Sequence, residues 1–297
     1  MEQSERVVSV TAELALDARA ELGEGALWDA AGGVLLWIDI TGHLVHRFNP
    51  VTGQNTTMDV GQPVGAVVLA TDGRLMLAVE KGFAFLDLVS GRLETIATVE
   101  PGQPTRMNDG KCDSRGRFWA GTMAYAETKG AGSLYRLDPD RLVTRVLEQV
   151  TISNGIAWSL DDRAMYYIDT PLHTVDRFAF DAASGGIGAR STVVRVDPSV
   201  GSPDGMTVDA EGHLWVAMWG GSSVRRYTPT GVLELVVEVP ASRVTSCAFG
   251  GDSLDELFIT TASTGLTDVE RAAQPLAGGL FRVRPGVKGM TAQVFRG

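Results

Sequence analysis

Cysteine is scarce in these 297 residues: there are two, Cys112 and Cys247. They form no CxxC pair, which argues against a zinc ribbon or a thioredoxin-like redox site and leaves two buried free thiols as the reading. Long apolar runs are also missing. No stretch of 18 or more apolar residues occurs, so no transmembrane helix is expected. The opening MEQSERVVSV has neither the basic start nor the apolar core of a signal peptide. A soluble cytoplasmic protein is the expectation. Positive charge is in deficit, with 26 Lys and Arg against 36 Asp and Glu, a net charge of −10. An acidic surface repels nucleic acid and anionic lipid, so neither is an expected partner. The four histidines do not cluster, and HExxH, GxSxG and P-loop motifs are all absent. A zinc protease, a serine hydrolase and an NTPase therefore lack support.

What is present is a repeat. A short strand begins at a Gly, a turn rich in Gly or Asp follows, then an aromatic-containing strand, then a third. First strands begin at Glu24-Gly25, Val64-Gly65, Asp109-Gly110, Asn154-Gly155, Asp204-Gly205 and Ser246-Cys247, spaced by 40, 45, 45, 50 and 42 residues. Turns such as Asp29–Gly33, Asp72-Gly73, Asp113–Gly116 and Asp209–Gly212 carry hairpin chemistry. Trp37, Met76, Trp119, Tyr167, Trp215 and Phe258 fall at matching second-strand positions. Third strands are expected at Leu44–Phe48, Phe83–Leu88, Ser133–Leu137, Thr174–Phe180, Val224–Tyr227 and Leu280–Val283. Repeats of this length built from strands point to a six-bladed β-propeller with a central channel, one all-β domain over residues 1–297. The strand-like segment Arg6–Leu16 is expected to pair with the last blade and close the ring, hiding an open edge.

In a propeller, equivalent positions face one axis. The residue before each inner Gly should therefore ring the channel mouth: Glu24, Val64, Asp109, Asn154, Asp204 and Ser246. Four of these carry carboxylate or amide oxygens, and Asn108 adjoins Asp109. Carboxylates crowded round one axis repel unless a cation lies between them. The donor set is one of hard oxygens and suits Ca²⁺, with Mg²⁺ or Mn²⁺ as alternatives. Asp109 is the member expected to bond backbone amides instead, leaving Asn108 to face the axis.

Six motifs in order carry a family likeness. They are Leu22-Gly-Glu-Gly-Ala-Leu-Trp28, Arg106-Met-Asn-Asp-Gly-Lys111, Phe118-Trp-Ala-Gly-Thr-Met123, Ile152-Ser-Asn-Gly-Ile-Ala-Trp-Ser159, Pro203-Asp-Gly-Met206 and Thr245-Ser-Cys-Ala-Phe-Gly-Gly251. Through them the chain, from about Glu21 onward, resembles the regucalcin/gluconolactonase family of metal-dependent lactonases. The resemblance implies a six-bladed propeller that opens small sugar-acid lactones, with one divalent metal held by Glu24, Asn154 and Asp204. It implies that Arg106 lies over the pocket and that Asn108 serves either metal or substrate. Ca²⁺ is the first expectation for the ion, with Zn²⁺, Mn²⁺ or Mg²⁺ as alternatives.

Asp204 is then the expected general base, and a monomer or weak homo-oligomer the expected state. The chain departs from its relatives at 124–132, where Glu127 could reach substrate, and the long connection 263–279 should carry a short helix near Val269–Ala273. Two other readings use the same ring of oxygens: a calcium-binding regulator or ligand sensor, and an organophosphate hydrolase.

Overall fold

The computed structural model describes residues 7–297. Short strands separated by Gly- and Asp-rich turns fold as six antiparallel meanders arranged round one axis. The inner strands are Gly23–Asp29, Val64–Leu69, Thr105–Cys112, Ser153–Trp158, Ser202–Val208 and Val244–Gly250, for blades 1 to 6. Each touches its neighbours on both sides, blade 6 meeting blade 1, so the ring is closed.

Second strands pack the blades face to face. Trp37, Met76, Trp119, Tyr167, Trp215 and Phe258 are all buried there, as their matching positions in the repeat require. Two of these tryptophans are tied by a recurring buried ion pair. Asp113 accepts from Trp119 Nε1 at 2.9 Å and Arg117 Nε at 2.6 Å. Asp209 accepts from Trp215 Nε1 at 2.9 Å and Arg226 Nε at 2.8 Å. The carboxylate in each case also caps its own turn through backbone amides.

Ring closure differs from the sequence expectation. Two N-terminal strands, not one, complete two blades. Glu13–Leu16 pairs antiparallel with Leu280–Val283 as the fourth strand of blade 6. Val8–Thr11 pairs parallel with Leu233–Glu238 as a fifth strand on blade 5. Ala12 between them donates to the Glu238 carbonyl, which keeps the first strand on blade 5 while the chain crosses to blade 6. Arg6, the expected start of this segment, lies outside the described residues. The connection 263–279 does hold a helix, Asp268–Ala273, started by a capping box between Thr267 and Glu270.

The last residues cross the underside of the propeller as a strap. Ala210 donates to the Lys288 carbonyl and Gly289 to that of Leu254, anchoring the strap to blades 5 and 6. At its other end Phe295 exchanges hydrogen bonds with Leu69 and Thr71 of blade 2, and Arg296 donates to Gly116 of blade 3. Phe295 is completely buried against Phe85.

No helix among the described residues is long and apolar enough to cross a membrane.

Candidate active site and metal centre

Every inner strand carries a bulge beside its ring residue. The pairing with the second strand slips between Glu24 and Leu27, Val64 and Ala66, Met107 and Gly110, Ser153 and Ile156, Pro203 and Met206, and Val244 and Ser246. Each slip inserts one extra residue and re-aims the local side chain. The glycine that follows has a steric reason. A Cβ on Gly155 would lie 2.7 Å from the Asp204 carbonyl oxygen, and one on Gly205 2.7 Å from that of Thr245. At Gly65, Gly155 and Gly205 the neighbouring inner strand approaches so closely that only glycine fits.

The ring residues Glu24, Val64, Asp109, Asn154, Asp204 and Ser246 are all buried, as are Arg106 and Asn108. Arg106, Asn108 and Asn154 form one connected network. Arg106 Nη1 donates to Asn108 Oδ1 at 2.6 Å and to the Met107 carbonyl at 3.0 Å. Asn108 Nδ2 donates to the Ser153 carbonyl at 2.7 Å and to Asn154 Oδ1 at 3.0 Å. Asn154 Nδ2 donates to Thr170 Oγ1 at 2.8 Å, and Thr170 in turn to the Pro203 carbonyl. This chain fixes which side of the Asn154 amide is oxygen and leaves that oxygen a free lone pair. Asn108 Oδ1 accepts one bond from Arg106 and keeps a lone pair too, so Asn108 links Arg106 to Asn154 without losing its free acceptor. Thr170 was not legible beforehand: it follows the second strand of blade 4 with nothing in its surroundings to mark it.

Three carboxylates complete the mouth. Burial pushes the Glu24 carboxyl up to about 8, the Asp109 charge adding to it, while the Gly25 amide and Arg106 oppose. Burial also raises Asp204 well above the usual carboxylate range, with Glu24 and Asp109 adding repulsion. Asp109 is raised by burial, offset by Lys111 and by the Gly110 amide, which donates to Asp109 Oδ1 at 2.7 Å. That bond fits the expectation that Asp109 bonds backbone. Asp204 Oδ1 is buried with no hydrogen-bond partner among the described residues. Buried ionised oxygens without donors are costly. A divalent cation among Glu24, Asn154 and Asp204 relieves both the repulsion and the orphaned oxygen, so the donor set fits the group the sequence implied.

Arg106 closes one side of the mouth. Burial draws its guanidinium down, and Tyr125, Glu24, Asp204 and Glu127 oppose that by charge. Glu127 lies on an exposed left-handed turn, φ 51°, its amide bonded to the Ala124 carbonyl. Tyr125 beside it is 52% exposed and donates through its hydroxyl to Glu80 Oε1 at 2.9 Å. Tyr125 and Glu80 are mouth residues that the repeat did not single out.

A second acidic group, Asp209, Glu211 and His213, gathers on blade 5. Arg226 already fills it, donating to Asp209, Glu211 and Glu234. Its carboxylates have a resident cation and need no metal.

A family described as "SMP-30/Gluconolactonase/LRE-like region" matches residues 22–263. Regucalcin of Danio rerio is 40% identical over 293 residues, covering 97% of this chain and 99% of its own. A protein of Bacillus subtilis named "Putative sugar lactone lactonase YvrE" is 40% identical over 288 residues, covering 96% and 99%. Among solved structures, a calcium-binding protein, regucalcin, of Agrobacterium tumefaciens superposes with a TM-score of 0.94. It is 30% identical, with 98% of this chain and 99% of that one covered.

Proposed function

Since the chain belongs to the SMP-30/gluconolactonase/LRE-like family, we propose that it hydrolyses small sugar-acid lactones at the channel mouth, with one divalent cation as cofactor. The observation that carries this reading is the Glu24–Asn154–Asp204 oxygen set, buried together with an Asp204 oxygen that has no hydrogen-bond partner among the described residues.

Glu24, Asn154 and Asp204 would hold the ion. When bound it supplies Lewis acidity toward the lactone carbonyl and neutralises the carboxylates. Asp204 accepts a proton from the attacking water as the new C–O bond forms. The ring C–O bond then breaks, and Asp204 returns the proton to the departing ring oxygen, giving the open-chain hydroxy acid. A carboxylate beside a cation is ordinarily a weak base. Burial, Glu24 and Asp109 push Asp204 the other way in the cation-free protein. Arg106, steadied by Asn108, points donors at substrate hydroxyls or the ring oxygen. Glu127 and Tyr125 stand at the rim, where substrate hydroxyls would pass.

A calcium-binding regulator is the competing reading, favoured by the description of the Agrobacterium relative. One experiment separates them. Metal-stripped protein is given a panel of aldonolactones, and proton release is followed with and without Ca²⁺, Zn²⁺, Mn²⁺ and Mg²⁺. Metal-dependent hydrolysis is expected and would rank both ion and lactone. Confirmed cation binding with no rate above background on any lactone would overturn the enzymatic reading.

A further inference from the structure

Arg106 is anchored from the neighbouring blade. In blade 2 the turn that follows the second strand, at Glu80 and Lys81, reaches across to the start of the inner strand of blade 3. Lys81 Nζ donates to the Gln103 carbonyl at 2.8 Å and to that of Thr105. One ammonium has three donors, so it can take both carbonyls at once. The Met107 amide donates to the Glu80 carbonyl at 3.1 Å. Thr105 and Met107 flank Arg106, so the backbone on either side of the guanidinium is fixed to a single turn.

The side chains extend that grip. Glu80 Oε1 accepts from the Tyr125 hydroxyl at 2.9 Å, and Lys81 Nζ lies 3.8 Å from the same oxygen. Tyr125 opens the loop that carries Glu127, and its amide donates to the Pro104 carbonyl at 3.0 Å. Turn, strand and loop therefore meet on the Arg106 side of the mouth. Blade 4 makes a matching reach: Thr170 Oγ1, in the corresponding turn, donates to the Pro203 carbonyl next to Asp204. Glu80 and Lys81 are half-buried rather than part of the core. Ordering a long Lys side chain on two carbonyls costs conformational entropy that turn formation alone does not require.

We propose that Glu80 and Lys81 are positioning residues for Arg106: they set the direction from which its guanidinium meets the substrate, and through Tyr125 they hold the 125–131 loop beside it. This rests on the reading of the mouth as a lactone site. Arg106 Nη1 is already committed to Asn108 and to the Met107 carbonyl. Its remaining donors reach substrate in one geometry only while the backbone from Thr105 to Met107 stays in place.

The test has two readouts. The Arg106 Nε–Hε signal, assigned with Arg106→Lys in the ¹⁵N-labelled full chain with Ca²⁺ present, reports the guanidinium itself. Lactone turnover reports KM and kcat. Lys81→Met is expected to shift or broaden the Arg106 signal and to raise KM roughly tenfold, the weight of one charge-assisted hydrogen bond to substrate. A change in KM with kcat and cation affinity little altered is the mark of lost substrate binding rather than of a weakened fold. Lys81→Arg, which can reach the same two carbonyls, should restore both readouts. Tyr125→Phe removes the hydroxyl alone and should act in the same direction, which decides the matter even if Lys81→Met does not fold. An Arg106 signal unmoved in both variants would overturn the proposal, as would a rate loss carried by kcat with KM unchanged. Absence of lactone turnover in the unaltered protein would instead overturn the proposed function, and the Arg106 signal would still decide the positioning.

Discussion

At the scale of single residues, the proposed function gives Asp204 two duties, ligand and base, that one substitution can separate. Asp204→Asn keeps a neutral oxygen for the cation but removes the proton acceptor. Lactone hydrolysis is expected to fall about 10³-fold, the range in which a positioned general base contributes, while a divalent cation still binds, more weakly, by calorimetry. Loss of binding with no separate effect on turnover would reduce Asp204 to a ligand.

The raised carboxyls also set a pH dependence. Glu24 holds its proton in the folded, cation-free protein up to about 8, against 4.5 for an unperturbed glutamate. The folded state therefore binds more protons than the unfolded one between those values. Stability from this source is present in full below about pH 4.5 and is lost as pH rises through about 8. Thermal melts of metal-stripped protein should show Tm falling across that window. Added divalent cation should restore most at the alkaline end, where it meets ionised carboxylates. A Tm flat from pH 5 to pH 8 without metal would show that the mouth is not under this strain.

Among elements, the inner strands explain how a repeat becomes a site. On five of them a glycine follows the ring residue, and at Gly155 it is a steric necessity, since a Cβ would strike the Asp204 carbonyl at 2.7 Å and Met206 Cβ at 2.7 Å. Gly155→Ala forces two inner strands apart beside a site carboxylate. A stability loss of about 1–3 kcal/mol, as for other overpacked interiors, should come with a drop in cation affinity; unchanged values for both would show that the strands can part freely. Much of this level was legible in advance. The residue before each Gly places Glu24, Asn154 and Asp204 together at the buried ends of the inner strands, because a propeller maps equal sequence positions onto equal radial positions. The bulges were not legible, since a one-residue slip leaves the alternation of apolar residues almost intact. Thr170 and Tyr125 escaped for a related reason: each acts from a connection outside the repeat, where no periodicity constrains it.

For the whole molecule, six blades are read easily from spacing, and closure is read poorly. The N-terminal segment looked like one strand because Val8–Thr11 and Glu13–Leu16 are separated only by Ala12. Nothing in its pattern shows that each half serves a different blade. The strap hides still better, since its main anchor is a single residue, Phe295, bridged to Ala70 and buried completely. Phe295→Ala should cost about 3–5 kcal/mol, the usual range for a buried phenylalanine, read from denaturant melts. Cation affinity of the folded fraction should be unchanged, because the mouth lies at the other end of the channel. A stability change under 1 kcal/mol would mean that the strap merely rests on the underside.

The two N-terminal strands also have a consequence in time. Val8–Thr11 is made well before its partner Leu233–Glu238, which comes more than two hundred residues later, and Glu13–Leu16 must await Leu280–Val283. At ~5–20 residues per second, synthesis of the intervening chain takes roughly 10–50 s. Throughout that interval the nascent arc shows an unpaired β edge at its growing end, and its first strands have nothing to pair with. Pairings so distant in sequence are the slow kind. The ring can therefore lock only once Leu280–Val283 has been made, and until then the arc stays open.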